Sequence, residues 1–343
     1  MNVPIPHVRY LVLLLTNRCN LSCRYCYCPD SVLKLDMSFD VMKQAVDIAA
    51  YHGKQFHVQL SGGEPCLTRD LLFQTAKTVR SAAPKATIAI QTNATLLDAE
   101  LARFFKEYGV QVGVSIDGPP LVHEKTRGMF GEMFAGIECL ESHGVPWRAT
   151  AVVTADSVEH LWRLVLLISR FKTARGIALD YLTHKRGAVK NCVVSATPEA
   201  VESGISRMLK TLELINRSSQ PAIRFREADA VARHTQSGKP ENFCHACKGE
   251  SLAVYPDGSL YPCSQLCGEN RYCAGNISGM IDWQRLCLGA LNLENSECVT
   301  CALNGRCPGD CPSRLTYNDN NEQRAVCALY RTIHDFQKKE QAL

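Results

Sequence analysis

Three thiols stand close together in the run Cys19-Asn-Leu-Ser-Cys23-Arg-Tyr-Cys26, directly after an apolar, strand-like stretch over residues 10–15. A four-iron cluster held wholly by protein takes four cysteine thiolates. Three ligands in one short loop therefore leave one iron open for another molecule. The same thiols also suit zinc, which completes a tetrahedron with a fourth Cys or His close by. Cys28 is the nearest such residue, but Cys26-Tyr27-Cys28 is a tight spacing, and a loop that follows a strand favours the cluster. More cysteines gather near the other end. Cys298-x2-Cys301-x5-Cys307-x3-Cys311 is followed by Cys327, and upstream Gly258-x4-Cys263 is preceded by Cys244 and Cys247. Zinc and cluster sites share such spacings, so a pair of zinc sites is the alternative here.

The spacing C-x3-C-x2-C, with Tyr25 just before the last cysteine, resembles the signature of the radical S-adenosylmethionine (SAM) enzymes. That resemblance implies that Cys19, Cys23 and Cys26 hold a 4Fe-4S cluster whose open iron is chelated by the amino and carboxylate groups of SAM. An electron from the cluster then cleaves SAM to methionine and a 5′-deoxyadenosyl radical. The C-terminal cysteines resemble the seven-cysteine pattern of the SPASM domain, found in peptide- and protein-maturing members. Carried over by position, Cys298, Cys301, Cys307 and Cys327 would hold the distal of two auxiliary 4Fe-4S clusters. Cys263 and Cys311 would belong to the proximal one, with Cys244 and Cys247 as its remaining ligands.

Elements that must position these groups are legible in the apolar pattern. From residue 8 to about 216, apolar runs alternate with amphipathic stretches at α/β spacing. Strands are expected over residues 9–15, 57–61, 87–92, 111–116, 148–153 and 176–181. Helices are expected over 39–51, 69–82, 99–107, 131–142, 158–171 and 198–215, with Ser38 and Thr197-Pro198 as polar starts. Six strand–helix repeats predict an α/β fold, a partial (β/α)6 barrel related to the TIM barrel. The expected organisation is a radical SAM barrel over 8–216, a linker and bridging helix over 217–241, and a cysteine-rich SPASM domain over 242–343. The last segment shows little long periodicity, so ligand bonds must supply the rigidity its small core lacks.

In parallel α/β barrels the reactive groups lie at the C-terminal ends of strands, and the motifs obey this. Gly62-Gly63-Glu64-Pro65 follows the second strand and resembles the family's GGEP motif. Its glycines let backbone carbonyls approach the SAM ammonium, while Glu64 adds a hydrogen bond or braces the loop. Gln91 and Asn93 resemble the polar pair that lies along SAM, with Ala94 where glycine is common. Ser115 is the candidate for the SAM carboxylate, and Asp117 for the ribose or for bracing the loop. Arg127 either pairs with the SAM carboxylate or orders the loop, and His123 continues the same pattern. Residues 149–153 form the adenine wall or simply a core strand. Of the remaining cysteines, Cys139 and Cys66 read as packed thiols, and Cys267 or Cys273 is a candidate to replace Cys244 or Cys247.

The chain has 343 residues and a net charge of +4 from 38 basic and 34 acidic side chains, without a long basic run. That balance argues against nucleic acid, and no apolar run approaches the roughly 20 residues of a membrane span. Eighteen cysteines without a secretory leader suggest reduced metal ligands in the cytoplasm rather than disulfides. The resemblance implies an enzyme that abstracts hydrogen from a ribosomally made precursor peptide, giving a crosslink, rearrangement or excision. Anaerobic sulfatase maturases, which form formylglycine from Cys or Ser, are the runner-up. They carry a carboxylate as base directly after the cysteine of Gly-x4-Cys, where this chain has Ser264. A non-catalytic electron carrier would leave the GGEP and Ser-x-Asp-Gly loops without purpose. The first strand begins near Arg9, so a separate leader-binding protein, or direct gripping by the enzyme, is expected. So is an electron donor such as flavodoxin or ferredoxin.

Overall fold

Along the third predicted strand buried and half-exposed side chains alternate, as a strand must when one face packs on helices and the other does not. It belongs to a sheet of nine strands among the residues described by the computed structural model, which are 5–28, 33–218, 221–238, 242–289 and 296–341, and the alternation recurs on its second, fourth and fifth strands. The strands are β1 (Tyr10–Leu14), β2 (His57–Ser61), β3 (Thr87–Thr92), β4 (Val110–Ser115), β5 (Trp147–Val153), β6 (Ala174–Tyr181), β7 (Arg224–Phe225), β8 (Ser251–Val254) and β9 (Leu260–Tyr261). Their lateral order is β7-β6-β5-β4-β3-β2-β1-β8-β9. Only the β8–β9 pair is antiparallel. The sheet ends at β7 and β9 without closing on itself, so the barrel is partial.

Leu11, Leu13, Val58, Leu60, Ile88 and Ile90 point outward and are buried against the surrounding helices. Ala149, Ala151 and Val153 share that outward face. The inner face of β5 is therefore Thr150 and Val152, while Ala149, Ala151 and Val153 pack as core. Gln59, Gln91, Ser115, Thr150 and Asp180 face inward and stay partly accessible. The lumen is polar.

Helices follow the strands as expected at Phe39–Ala50, Arg69–Ala82, Ala99–Tyr108, Phe130–Ser142 and Pro198–Ser218. Ser38 caps the first of these, accepting from the Val41 amide at 3.2 Å. The stretch 158–171 is shorter than predicted: a 3-10 turn, Val158–His160, leads into the helix Leu161–Ile168. Beyond it the chain bends so that Phe171 packs edge-on against Trp147. The bridging helix begins at Arg226, because Arg224 and Phe225 pair with β6. Gly176 permits this, since a Cβ there would lie 2.8 Å from the Arg224 carbonyl oxygen. Residues 219–220 of the expected linker and 239–240 of the following loop lie outside the described residues.

Two features were not anticipated. β8 extends the barrel sheet by pairing in parallel with β1, so the cysteine-rich segment shares the barrel's sheet. A long helix, Asn320–Gln341, packs on Pro198–Ser218 through Val326, Leu329, Tyr330 and Ile333. Each such buried side chain is worth about 1.5–3 kcal/mol. Its start is a capping box: Asp319 Oδ1 accepts from the Glu322 amide (3.0 Å) while Glu322 Oε2 accepts from the Asp319 amide (3.0 Å). No helix among the described residues is long and apolar enough to cross a membrane.

Candidate active site

The loop that carries Cys19, Cys23 and Cys26 leaves β1 and is held on three sides. At its start, Thr16 Oγ1 donates to Asp36 Oδ1 (2.6 Å), and Arg18 clasps the same carboxylate through Nε (2.9 Å) and Nη2 (2.6 Å). From the neighbouring strand end, the amides of Gly63 and Glu64 donate to the carbonyls of Thr16 and Arg18, each at 2.8 Å. A Cβ on Gly62 would lie 2.3 Å from Thr16 O, and one on Gly63 2.0 Å from Arg18 O. Gly62 also has φ +145. These glycines are thus required by contact with the cysteine loop itself. On the third side, Gly187 sits against Cys26, and its amide donates to the Cys26 carbonyl at 3.1 Å. A Cβ there would lie 2.8 Å from that oxygen.

Glu64 is buried, and every bond it accepts comes from the protein. Oε1 takes Thr92 Oγ1 (2.7 Å) and the Cys66 amide (3.1 Å), and Oε2 takes the Asn93 amide (2.8 Å). Burial still pushes its carboxyl above the ordinary value, against these donors. Asn93 donates through Nδ2 to Asn20 Oδ1 (2.9 Å), tying the third strand to the cysteine loop. Ala94 takes the left-handed conformation, φ 63, where glycine would be unstrained. Gln91 Nε2 donates to Ser115 Oγ (2.9 Å) on the inner face. Gly113 makes room for it, since a Cβ would meet Gln91 Oε1 at 2.5 Å. Gln91 and Ser115 therefore present an accessible polar surface inside the barrel. Glu64, Asn93 and Asp117 are spent on holding loops.

Asp117 is fully buried. Its Oδ1 accepts from the Val152 amide (2.9 Å), and its Oδ2 from Tyr25 Oη, Thr126 Oγ1 (2.8 Å) and Arg127 Nε (3.1 Å). The Arg127 guanidinium also lies over the Tyr25 ring, 5.2 Å from its centroid. Although burial opposes its charge, Asp117 and Tyr25 hold Arg127 protonated well above its ordinary range. These contacts within the protein brace the cysteine loop. His123 is buried beside them with neither ring nitrogen hydrogen-bonded. Burial and then Arg127 push its pKa down to about 4.

Burial pushes the Cys19 thiol up to about 11, and Cys23 and Cys26 add to this. Burial raises Cys23 as well, while Arg127 opposes the rise. Thiols so placed are neutral unless a cation takes the proton's place. The second group comprises Cys244, Cys247, Cys263 and Cys311. Burial lifts Cys244 to about 12, with contributions from Cys247, Cys311 and Cys263, and it lifts Cys263 to about 12, with Cys311 next. The third group is Cys298, Cys301, Cys307 and Cys327: burial raises Cys307 to about 11, and the other three contribute. Among the described residues no three His, Cys, Asp or Glu side chains converge as one ion would require. A cluster instead takes one thiolate per iron, so its ligands stand apart around it. Cys28 lies beside the first set, hydrogen-bonded to Cys26 and donating to the Gly62 carbonyl (3.6 Å), and these soft, all-thiol groups fit iron–sulfur clusters.

Cys267 adjoins the second group: its Sγ donates to the Cys263 carbonyl (3.7 Å), and Cys263 adds to the burial that raises its thiol. Cys267 is fully buried in a small apolar cluster with Val12, Leu14, Ala253, Tyr255 and Tyr261, against which Cys273 packs. Cys66 is a packed thiol, and Cys139 is partly buried against the core. Sequence reasoning missed the segment after β6. Lys185 Nζ donates to the Gln265 carbonyl (2.8 Å) and pairs with Glu269 (3.1 Å). Arg186 reaches the Tyr27 carbonyl through Nη1 (2.9 Å), and Glu269 through Nη2 (3.1 Å). These two cations join the cysteine loop to the C-terminal cysteine segment. Their place at the end of a predicted strand was the available signal.

The radical SAM superfamily model matches residues 13–168. An uncharacterized protein of Methanocaldococcus jannaschii is 29% identical over 278 residues, covering 79% of this chain and 89% of its own. A serine-type anaerobic sulfatase-maturating enzyme of Klebsiella aerogenes is 24% identical over 347 residues, covering 92% of this chain and 82% of its own. Native anSMEcpe with bound AdoMet and Cp18Cys peptide superposes with a TM-score of 0.78 at 21% identity, covering 96% of each chain. Streptococcus suis SuiB bound to precursor peptide SuiA gives 0.63 at 16% identity, covering 92% of this chain and 74% of that one. At such identities the structural likeness shows a shared fold.

Proposed function

This is a radical SAM enzyme, carrying that superfamily's domain over residues 13–168, and we propose that it matures a ribosomally made peptide. The superfamily's cofactors are SAM and a 4Fe-4S cluster, which Cys19, Cys23 and Cys26 would hold. When bound, they supply the 5′-deoxyadenosyl radical that takes a hydrogen atom from the substrate. The chain's own part is to hold and shield. Asp117, Arg127 and Glu64 keep the three thiols in place from behind. Gln91 and Ser115 present hydroxyl and amide groups to SAM. The two C-terminal thiol sets would carry auxiliary clusters that exchange electrons with the substrate.

The observation that carries the peptide reading is the open, polar lumen between the cysteine loop and the second thiol group. Its polar lining is Gln59, Gln91, Ser115, Thr150 and Asp180, with Val12, Leu14 and Val152 on the same inner face. An extended chain with its backbone polar groups suits such a surface, and the two solved folds above were each determined with a peptide. Within peptide chemistry, Ser264 argues for crosslinking, rearrangement or excision, because a serine beside Cys263 is a poor base. A second reading, formylglycine formation, draws on the kinship to sulfatase-maturating enzymes. A leader-binding protein and a flavodoxin or ferredoxin donor complete the proposed system.

The test is anaerobic co-expression with each small open reading frame beside the gene, followed by intact mass spectrometry. A SAM-dependent mass change that requires Cys19, Cys23 and Cys26 supports the reading. Formylglycine in a neighbouring sulfatase, with every small peptide unchanged, transfers the conclusion to the second reading.

A further inference from the structure

When a carbon radical on a peptide closes onto a nucleophile X–H, a proton leaves as well as an electron. Resting on the peptide reading above, we infer that Asp180 is the catalytic group that takes this proton. The balance is simple. A C–H hydrogen atom leaves to the 5′-deoxyadenosyl radical; the C–X bond then forms as X–H gives its proton to the Asp180 carboxylate and one electron passes to an iron–sulfur centre.

Asp180 lies one residue from the C-terminal end of β6, the end at which parallel α/β barrels place reactive groups. In register it neighbours Val152, whose amide donates to Asp117. It therefore stands one strand, about 4.8 Å, from the brace of the cysteine loop. Its side chain points into the lumen and is 42% accessible. Oδ1 accepts from Arg226 Nη2 at 3.1 Å, and among the described residues no hydrogen bond engages Oδ2. Arg226 is fixed in turn by Glu227 (2.6 Å) and the Leu179 carbonyl (2.6 Å). Tyr10, across the lumen on β1, feels Cys263, Arg226, Asp180 and Cys244 together. Asp180 thus faces the space between the first and second thiol groups.

The other nearby carboxylates are occupied. Glu64 and Asp117 are buried under several donors each, and Asp310 is locked to Arg314. Glu227 accepts from the Leu179 amide and Arg226, and Glu269 is paired with Lys185 and Arg186. Enclosure by the barrel opposes ionisation of Asp180, but Arg226, Arg314 and Arg127 outweigh it and hold the carboxylate below its ordinary value. It waits as the anion, with one oxygen presented to the lumen.

The test uses full-length holoenzyme in two arms. In the first, needing no substrate, a water-soluble carbodiimide with glycine methyl ester labels accessible carboxylates, read by tryptic mass spectrometry. Asp180 should label at least about tenfold faster than Asp117; equal, slow labelling overturns the assignment. In the second, Asp180→Asn and Asp180→Glu are co-expressed with the peptide that the wild type modifies. Removal of a general base costs about 100-fold or more, so Asp180→Asn should lose product to that extent. Asp180→Glu should recover at least about tenfold. Wild-type yield from Asp180→Asn overturns the inference. A wild type that modifies no peptide while Asp180 still labels is the failure of the peptide reading, not of the carboxylate's placement.

Discussion

Replacing Asp117 by asparagine removes the charge on which the back of the cysteine loop closes. Asp117 is fully buried, and its partner Arg127 has a side chain only 10% accessible. The amide keeps one acceptor oxygen but turns an NH2 toward donors: Tyr25 Oη, Thr126 Oγ1 and Arg127 Nε converge on one oxygen, and the Val152 amide takes the other. Removing one partner of a buried ion pair costs about 3–5 kcal/mol, because the remaining charge is left uncompensated. At about 2 °C per kcal/mol for a long chain, the melting temperature should fall by about 6–10 °C. Tyr25 and Arg127 flank Cys23 and Cys26, so iron bound per chain should fall with it. The assay is thermal unfolding of anaerobically purified protein with iron analysis, run as a cycle with Arg127→Met and the double variant. Groups in direct contact couple by about 0.5–3 kcal/mol, so the double variant should lose clearly less than the sum. A drop below about 1 kcal/mol for Asp117→Asn, or strict additivity, would refute the brace.

Gly63→Ala should force the GGEP loop off the cysteine loop, because its Cβ would meet Arg18 O at 2.0 Å. Overpacking and two strained backbone bonds together predict a loss of about 2–4 kcal/mol. Iron analysis should show loss at the N-terminal thiols alone; retained stability with full iron would sink the idea. Cys263→Ala should remove one cluster's iron, whereas Cys267→Ala, a packed thiol, should leave iron content unchanged; the reverse outcome would exchange their roles. His123 gives the pH dependence. Its folded pKa of about 4 lies below the unfolded value of about 6.5, so the unfolded chain binds the extra proton and stability is lost as pH falls between them. The full effect is on the order of 3 kcal/mol, and about 1 kcal/mol of it should appear between pH 7 and pH 5.5. His123→Leu should flatten that slope in thermal melts, and an unchanged slope would assign it to other groups.

The barrel was legible because its signals are local. Apolar alternation located β2 and β3 to the residue, and Ser38 marked a helix start by chemistry that acts within one turn. What escaped depends on contacts distant in sequence. β8 is four residues long and is defined by its pairing with β1, which no local pattern announces. The helix Asn320–Gln341 hid because its apolar stripe is interrupted by buried polar residues such as Glu322 and His334, although the Asp319–Glu322 capping box was there to be read. The motif glycines were recognised by type, but their reason differs: backbone touching backbone at Thr16 and Arg18. Asp180 carried no motif at all. It acquires meaning only when the strand register sets it beside Val152 and the lumen exposes it.

The central claim is that Cys19, Cys23 and Cys26 hold a cluster with one iron open to SAM. It is tested most directly by reducing the anaerobically reconstituted protein with dithionite in the presence of SAM and quantifying 5′-deoxyadenosine. Steady release by the wild type, abolished in Cys19→Ala/Cys23→Ala/Cys26→Ala while the C-terminal iron is kept, is the predicted result. No release from iron-replete wild type, or undiminished release from the triple variant, would contradict it.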